Sequence, residues 1–417
     1  MRKPLSAPRR TPAQGVLAGI DWSFSTPFSV GRTGLPLFDA RKYHWYPATY
    51  VPEIPYTLVE VLTSPGATVY DPFAGIGTTL YQSLQLGRVP FVTDVCMVSI
   101  QVIQAVWSLL SAKVNFERLG IRIEQIIGEF TVEGERSKRF RGINPHYDDL
   151  VPWFNSDTFD ELTYLFMRIQ DCRDPATSAL LNVASSSALK AVCAQDRGSS
   201  CIADNMLPSD VQRERYRPAL ERIRSNAHMM LKGLARFRSS LPASSAQLVT
   251  ECEAGNHILL SDARTAIKPL RKSVDLVVTS PPYPNMTDYC TNQRLSFYWR
   301  GADPMSAIQS EIGARRRRFS GKSISEYEIA MKAALDSIAE KLRPSALCCV
   351  VLPTFTGDRH NNVIRKAAID DVLSHLDDCG FVLDQTLDRL LPVRRRLHNQ
   401  KWTTLEREKI SIYRKGS

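Results

Sequence analysis

The sequence predicts an α/β protein: a mostly parallel sheet flanked by helices and interrupted by a helical insertion. Three observations carry this. Two short apolar runs, at Val69 and at Val274–Val278, each end abruptly in turn chemistry instead of continuing. Between them, residues 113–255 carry apolar side chains at helical spacing. Towards the end, apolar strand-like runs at Leu347–Leu352, Phe381–Leu387 and Lys409–Tyr413 alternate with a helical stretch over Ala367–Leu376.

Residues 1–40 combine basic residues, prolines, glycines and serines with little periodicity, and read as a flexible basic arm. Residues 41–112 form the first half of the sheet domain. A helix over Tyr56–Leu62 precedes the turn Ser64-Pro65-Gly66. Thr68-Val69-Tyr70 then reads as a strand running into Asp71-Pro72-Phe73-Ala74-Gly75-Ile76-Gly77, and Thr78-Thr79-Leu80 opens a helix. Gly75 and Gly77 let the backbone approach a ligand closely. The next strand, Val89–Val92, ends at Asp94, an acid placed about twenty residues past the glycine turn to grip ribose hydroxyls. A helix over 98–112 closes this half.

Residues 113–255 read as a mainly helical insertion, with helices through Phe159–Ile169, Ala179–Val192 and Tyr216–Phe237, punctuated by Pro145, Pro152, Pro208 and Pro242. It serves either as a recognition surface or as a helical cap or dimerisation element. The basic run Arg136–Arg141 falls in a loop within it.

Residues 256–417 return to the sheet. Strand Ile258–Leu260 leads to Asp262, with Ala263-Arg264 after it, as a helix N-cap would have. Strand Val274–Val278 ends in Thr279-Ser280-Pro281-Pro282-Tyr283. Two prolines cannot continue a ladder and stiffen the chain into an extended turn. A hydroxyl, rigid carbonyls and an aromatic ring are thereby held at the carboxyl end of a strand, where open α/β sheets bind ligands. A helix over 326–343 and the terminal strands complete the half, with a basic stretch, 389–401, between the last two strands.

Asp71-Pro-Phe-Ala-Gly-Ile-Gly-Thr-Thr79 and Ser280-Pro-Pro-Tyr283 resemble the first and fourth motifs of the DNA amino-methyltransferases. His44–Ala48 with Pro52–Pro55 resembles the family segment before the cofactor loop, and Leu260–Arg264 its acidic third motif. The resemblance spans roughly residues 40–100 and 255–415. It implies a Rossmann-like S-adenosylmethionine-dependent methyltransferase fold, with a terminal hairpin that includes an antiparallel strand. The implied cofactor residues are Tyr46, Pro47, Asp71, Phe73, Ala74, Gly75, Gly77, Thr78, Asp94 on the ribose and Asp262 on the adenine amine.

The implied chemistry is methylation of an exocyclic base amine after base flipping. Ser280 and the Pro281 carbonyl accept the amine protons, Pro282 stiffens the turn, and Tyr283 stacks on the flipped ring. Serine before Pro-Pro favours N4 of cytosine, with N6 of adenine as the alternative. A tRNA or other RNA amino-methyltransferase and an inactive DNA-binding subunit are further alternatives. No Pro-Cys dipeptide occurs, which argues against the thiolate chemistry of cytosine-C5 methylation. The expected partners are double-stranded DNA and a cognate restriction endonuclease or other defence protein.

Net charge is +10, and the arginines cluster. Arg315, Arg316, Arg317 and Arg318, and likewise Arg394, Arg395 and Arg396, fit phosphate contacts on a polyanion or a solvated basic face. The nine cysteines are scattered without metal-ligand spacing and read as reduced thiols, so no metal is expected. No apolar run has membrane-spanning length, and the basic start lacks a signal-like apolar core. The expected address is the cytoplasm, nucleoid-associated and prokaryotic.

Overall fold

A computed structural model describes residues 12–24, 36–131, 135–195, 207–265, 270–318, 320–356, 360–391 and 405–416. Among the described residues, seven strands form one sheet: β1 (Thr68–Asp71), β2 (Val89–Asp94), β3 (Ile258–Leu260), β4 (Val274–Thr279), β5 (Leu342–Thr354), β6 (Phe381–Leu390) and β7 (Arg407–Lys415). Their order is β3-β2-β1-β4-β5-β7-β6. Strands β1 to β5 pair in parallel, whereas β7 runs antiparallel to both β5 and β6. This is the Rossmann-like α/β arrangement the sequence predicts, with β7 set antiparallel between β5 and the edge strand β6. The central strand β4 is buried on both faces, which is why Val274–Val278 reads as a near-continuous apolar run.

Helices α1 (Pro12–Ala18), α2 (Glu53–Leu62), α3 (Thr78–Gln85) and α4 (Met97–Leu110) precede the insertion. The insertion holds α5 (Phe116–Gly128), α6 (Glu135–Ile143), α7 (Tyr147–Leu150), α8 (Ser156–Gln170), α9 (Pro175–Val192), α10 (Asp210–Arg213), α11 (Ala219–Ser240) and α12 (Ala243–Glu251). Then come α13 (Tyr289–Asn292), α14 (Arg294–Trp299), α15 (Met305–Ser310), α16 (Ser323–Lys341) and α17 (His360–Asp378). Helix α9 is the spine of the insertion. Leu180, Leu181, Ala184 and Ala188 are wholly buried, and the helix packs on α11, α4 and α14. The apolar core runs without a break from Leu80 and Val92 by the sheet, through α4, to α8, α9 and α11.

Two expectations are corrected. Within the arm expected to be flexible, residues 12–24 fold. Helix α1 lies on α2, and Leu17, Trp22 and Phe24 are buried in the core on the other face of the sheet. Three large apolar side chains within eight residues, Leu17, Trp22 and Phe24, supply the burial that docks this segment. The run expected to be a loop at Arg136–Arg141 is helix α6. Phe140 anchors it, fully buried with its ring 4.7 Å from that of Phe166. On the exposed side Arg139 pairs with Asp171 and Arg141 with Asp148.

Candidate active site at the carboxyl edge of the sheet

Strand order reverses between β1 and β4, and a ligand cleft opens where it does so. The cleft encloses about 760 Å³ of unfilled space, part of it open to solvent. Its walls come from the turns after β1, β2, β3 and β4, joined by the segment that leads into α2 and by residues 289–290 and 310–312. Of the expected residues, Tyr46, Phe73, Ala74, Gly75, Asp94, Asp262, Ser280 and Pro282 line it. The two turns recognised 200 residues apart in the sequence therefore share one cavity.

What holds them together is Asp71. It is fully buried, and its carboxylate accepts from Thr279 Oγ1 at 2.7 Å, Thr79 Oγ1 at 2.5 Å and the Phe73 amide at 3.1 Å. Tyr50 adds a longer contact of 3.4 Å. Thr279 immediately precedes Ser280, so Asp71 ties the end of β4 to the glycine turn. Asp71 is thus occupied within the protein and, unlike most of the other expected cofactor residues, does not line the cleft. Burial raises its pKa despite these four hydrogen bonds.

The glycine turn is closed by Asp94. Its carboxylate accepts from the Gly75 amide and the Cys96 amide, each at 2.8 Å. Gly75 has φ +52, and a Cβ there would lie 3.2 Å from Cε1 of Tyr46. The bare backbone lets the Tyr46 ring lie over the turn, and that ring stacks in turn on Tyr289 at 6.0 Å. Gly77 takes φ +85 as the N-cap of α3, where a Cβ would press on Ile103 and Tyr81. It shapes the turn from behind, and Thr78 and Pro47, both buried, do likewise outside the cleft lining.

The cleft is acidic although the protein is basic. Asp94, Asp262 and Glu311 all line it. Burial pushes Asp94 up to about 7, and the neighbouring Asp71 and Glu311 add to the rise. Glu311 is also raised by burial, which Arg316 only partly offsets. Burial would raise Asp262, but hydrogen bonds from Arg264 outweigh it and hold the carboxylate below its usual range. The Arg264 amide and Nε each donate to Asp262 Oδ1 at 2.9 Å. Asp262 caps the turn that follows it, and residues 266–269, where the next helix was expected, lie outside the described residues.

On the opposite wall, Ser280 and Pro282 face the cavity, but Pro281 and Tyr283 do not line it. Tyr283 turns its hydroxyl to Glu408 on β7, donating at 2.7 Å. Glu408 is ion-paired with the buried Arg389 of β6. Burial and the Glu408 carboxylate hold the Tyr283 phenol well above its ordinary value, while a hydrogen bond with Ser280 opposes them. The expected stacking ring is thus anchored at its far end to the terminal hairpin.

Sequence reasoning missed Tyr50, Tyr289, Cys290 and Glu311, which also line it. Glu311 Oε2 pairs with Arg316. Arg316 is therefore turned inward, where it also reaches the Ile308 carbonyl and Asp288. This departs from the expected four-arginine phosphate face. Arg317 donates to the Gln309 carbonyl and sits 3.6 Å from Glu326, whereas Arg315 and Arg318 are exposed. Arg394, Arg395 and Arg396 lie outside the described residues. Among the described residues, one cluster with metal-ligand chemistry occurs: Asp336 on α16, His375 on α17 and Cys379 just past its end. Asp336 there already accepts from His375 at 2.8 Å and from the thiol at 3.3 Å. No helix among the described residues is long and apolar enough to cross a membrane.

No protein-family model matches the chain, and no curated protein matches it. Among solved structures, the rRNA methyltransferase aviRa from Streptomyces viridochromogenes aligns over 90% of this chain and 91% of its own, at 12% identity and a TM-score of 0.31. Likeness that loose carries no weight for fold or function, which rest on the sheet order and the cleft.

Proposed function

We propose that this protein is an S-adenosylmethionine-dependent methyltransferase that transfers a methyl group to the exocyclic N4 amine of cytosine in double-stranded DNA. The observation that supports it most is the convergence of the Gly75 turn and the Ser280-Pro turn on one acid-lined cleft, locked by the Asp71–Thr279 hydrogen bond.

The cleft suits the cofactor's charge. S-adenosylmethionine carries a sulfonium and an ammonium group, and when bound it supplies an electrophilic methyl. Carboxylates at Asp94 and Glu311 favour such cations, and the faces of Tyr46 and Tyr289 suit a sulfonium. A pyrophosphate-bearing dinucleotide would instead meet repulsion. Asp94 retains lone pairs for ribose hydroxyls beside the Gly75 amide it already holds. Asp262 would meet the adenine amine only by sharing its oxygens with Arg264.

An exocyclic amine conjugated with a base ring is a poor nucleophile. The Ser280 hydroxyl, which lines the cavity, would accept one of its two protons, and the Pro281 carbonyl, next in the chain but outside the lining, would accept the other once a base is seated. That favours a pyramidal nitrogen with its lone pair aimed across the cleft. The stiff Pro281-Pro282 turn and the Asp71 lock fix these acceptors before substrate arrives, so the protein contributes position and preorganised dipoles. Tyr46, Tyr289 and Ile312 line the cleft with apolar surface that would limit water around the bound methyl group.

The test is transfer from methyl-labelled S-adenosylmethionine to unmodified duplex DNA and to tRNA, followed by nuclease digestion and identification of the modified nucleoside. N4-methylcytosine from DNA is the expected product. N6-methyladenine would move the target to adenine, label in tRNA alone would make the substrate RNA, and no cofactor binding would end the proposal.

A further inference from the structure

Helices α16 and α17 lie side by side, and three side chains of different chemistry meet where α17 ends. Asp336 comes from α16, His375 from the last turn of α17, and Cys379 follows that helix directly. Their ligand atoms all lie within 4.8 Å of one another. Asp336 Oδ1 is the meeting point, 2.8 Å from His375 Nε2 and 3.3 Å from Cys379 Sγ. A tetrahedral zinc ion, with bonds of about 2.0–2.3 Å, holds its ligand atoms roughly 3.5 Å apart. Small side-chain adjustments bring the three atoms to that spacing. None of the three residues lines the cofactor cleft.

The backbone prepares the cluster. The Cys379 amide donates to the His375 carbonyl at 3.0 Å, so helical geometry continues past α17 and places both side chains on one face. Gly380, at φ +77, then turns the chain away, its amide donating to the Asp377 carbonyl at 2.9 Å. The carboxyl end of this 19-residue helix carries partial negative charge, which favours a cation. Behind the imidazole, Asp378 Oδ2 lies 3.4 Å from the other ring nitrogen, Nδ1. A carboxylate in that position is what orients a metal-binding histidine. Two lysines nearby are engaged elsewhere: Lys415 Nζ donates to the Cys379 carbonyl, and Lys332 pairs with Asp371 at 2.7 Å.

We infer that Asp336, His375 and Cys379 form a zinc site that ties α17 to α16. Without a metal, the imidazole and the thiol each direct a proton at Asp336. Zinc takes the place of both protons. Nε2 gives the ion its lone pair while the ring proton sits on Nδ1, facing Asp378, and the thiol proton leaves to solvent. Carboxylate and thiolate then balance the two positive charges of the ion, and the imidazole stays neutral. Mixed oxygen, nitrogen and sulfur donors suit zinc, whereas magnesium and calcium take oxygen ligands. Three protein ligands leave a fourth position for water, and with the Asp336 side chain 60% exposed the cluster is open to solvent. Cysteine spacing could not announce the site, because Asp336 lies 39 residues before His375 and on a different helix.

The test is titration of the chelator-stripped full chain with cobalt(II), then with zinc. One equivalent of cobalt should give the strong visible absorption of a tetrahedral, thiolate-bound ion, and zinc should displace it. Cys379→Ser should abolish the thiolate-to-metal band and weaken zinc at least tenfold in competition with a chromophoric chelator. His375→Gln, at a side chain 20% exposed, should weaken zinc as much, and it keeps the test decisive if the cysteine variant folds poorly. Asp378→Asn replaces no ligand, yet it should weaken zinc roughly tenfold by releasing the imidazole. Cys172→Ser, at a free cysteine outside the cluster, should bind as wild type does. Zinc should also raise the thermal unfolding midpoint of wild type but not of His375→Gln. Zinc binding no tighter than about 10 µM overturns the site. So does a cobalt spectrum without a thiolate band, or wild-type affinity in Cys379→Ser or His375→Gln. Each readout is independent of methyl transfer.

Discussion

Replacing Asp94 with asparagine changes two pH profiles in opposite directions. In the folded protein Asp94 titrates near 7 against an ordinary value of 3.8, chiefly because it is buried. Between those values the native state holds a proton that the unfolded chain has released. Stability from this group is therefore full below pH 3.8 and falls as pH rises towards 7. At about 1.4 kcal/mol per unit over roughly three units, the loss is on the order of 4 kcal/mol. Asp94→Asn removes that slope, so the stability gap between variant and wild type should widen in the variant's favour from pH 4 to pH 7. Chemical denaturation at half-unit intervals measures it.

Affinity for S-adenosylmethionine should run the other way, because a cationic ligand selects the ionised carboxylate. Binding at pH 6 should be about tenfold weaker than at pH 8.5, and the variant should be nearly flat. Calorimetric titration across that range reads the difference. Parallel wild-type and variant curves in both experiments would refute the assigned burial of Asp94 and its role in the cleft.

Asp71→Ala strands the hydroxyls of Thr79 and Thr279 and the Phe73 amide in the core. A loss of about 3–5 kcal/mol in urea unfolding is expected, together with loss of methyl transfer. Ser280→Ala should leave cofactor affinity within about twofold and slow single-turnover methylation roughly ten- to a hundredfold, as for removal of one preorganised contact; an unchanged rate would remove Ser280 from the chemistry. Arg316→Ala exposes the Glu311 carboxylate to burial without its partner and should cost about 3 kcal/mol of stability. Arg315→Ala, at an exposed position, should leave stability alone and reduce the slope of DNA affinity against salt by about one contact. Similar behaviour of the two arginine variants in either assay contradicts the inward placement of Arg316.

The sheet was legible because each of its central strands ends in residues that cannot continue it. Asp71-Pro72 and Ser280-Pro281-Pro282 mark carboxyl ends in the sequence, and carboxyl ends of parallel strands converge. The cleft's position followed from that, and so did Gly75, Asp94 and Ser280. The orientation of individual side chains did not follow. Tyr283 faces β7 because Glu408, 125 residues away, offers an acceptor, and no local pattern announces that pairing. Arg316 reads like its neighbours, yet a 3-10 turn places it alone over Glu311. Helix α1 was lost among polar residues because one short apolar cluster docks it, and α6 was obscured by arginines surrounding a single anchoring phenylalanine. In the insertion, helical spacing showed that helices exist but not which of them is central. Helix α9 carries serines, a threonine and an asparagine among its apolar residues, so its composition does not mark it out, and only its neighbours in space reveal it as the spine.

The Trp22 carbonyl accepts from Nε of Arg389 at 3.1 Å, and Arg389 holds Glu408, which holds Tyr283. A chain trimmed to begin at the first recognisable motif, near residue 41, would discard the far end of this relay. Arg389 would lose a backbone acceptor, and a hole would open where Trp22 had been. The damage would surface at the opposite side of the sheet, as a loosened aromatic ring beside Ser280. Such a truncated protein could remain folded and still bind its small ligand, yet turn over slowly for a reason that no inspection of the cleft would disclose.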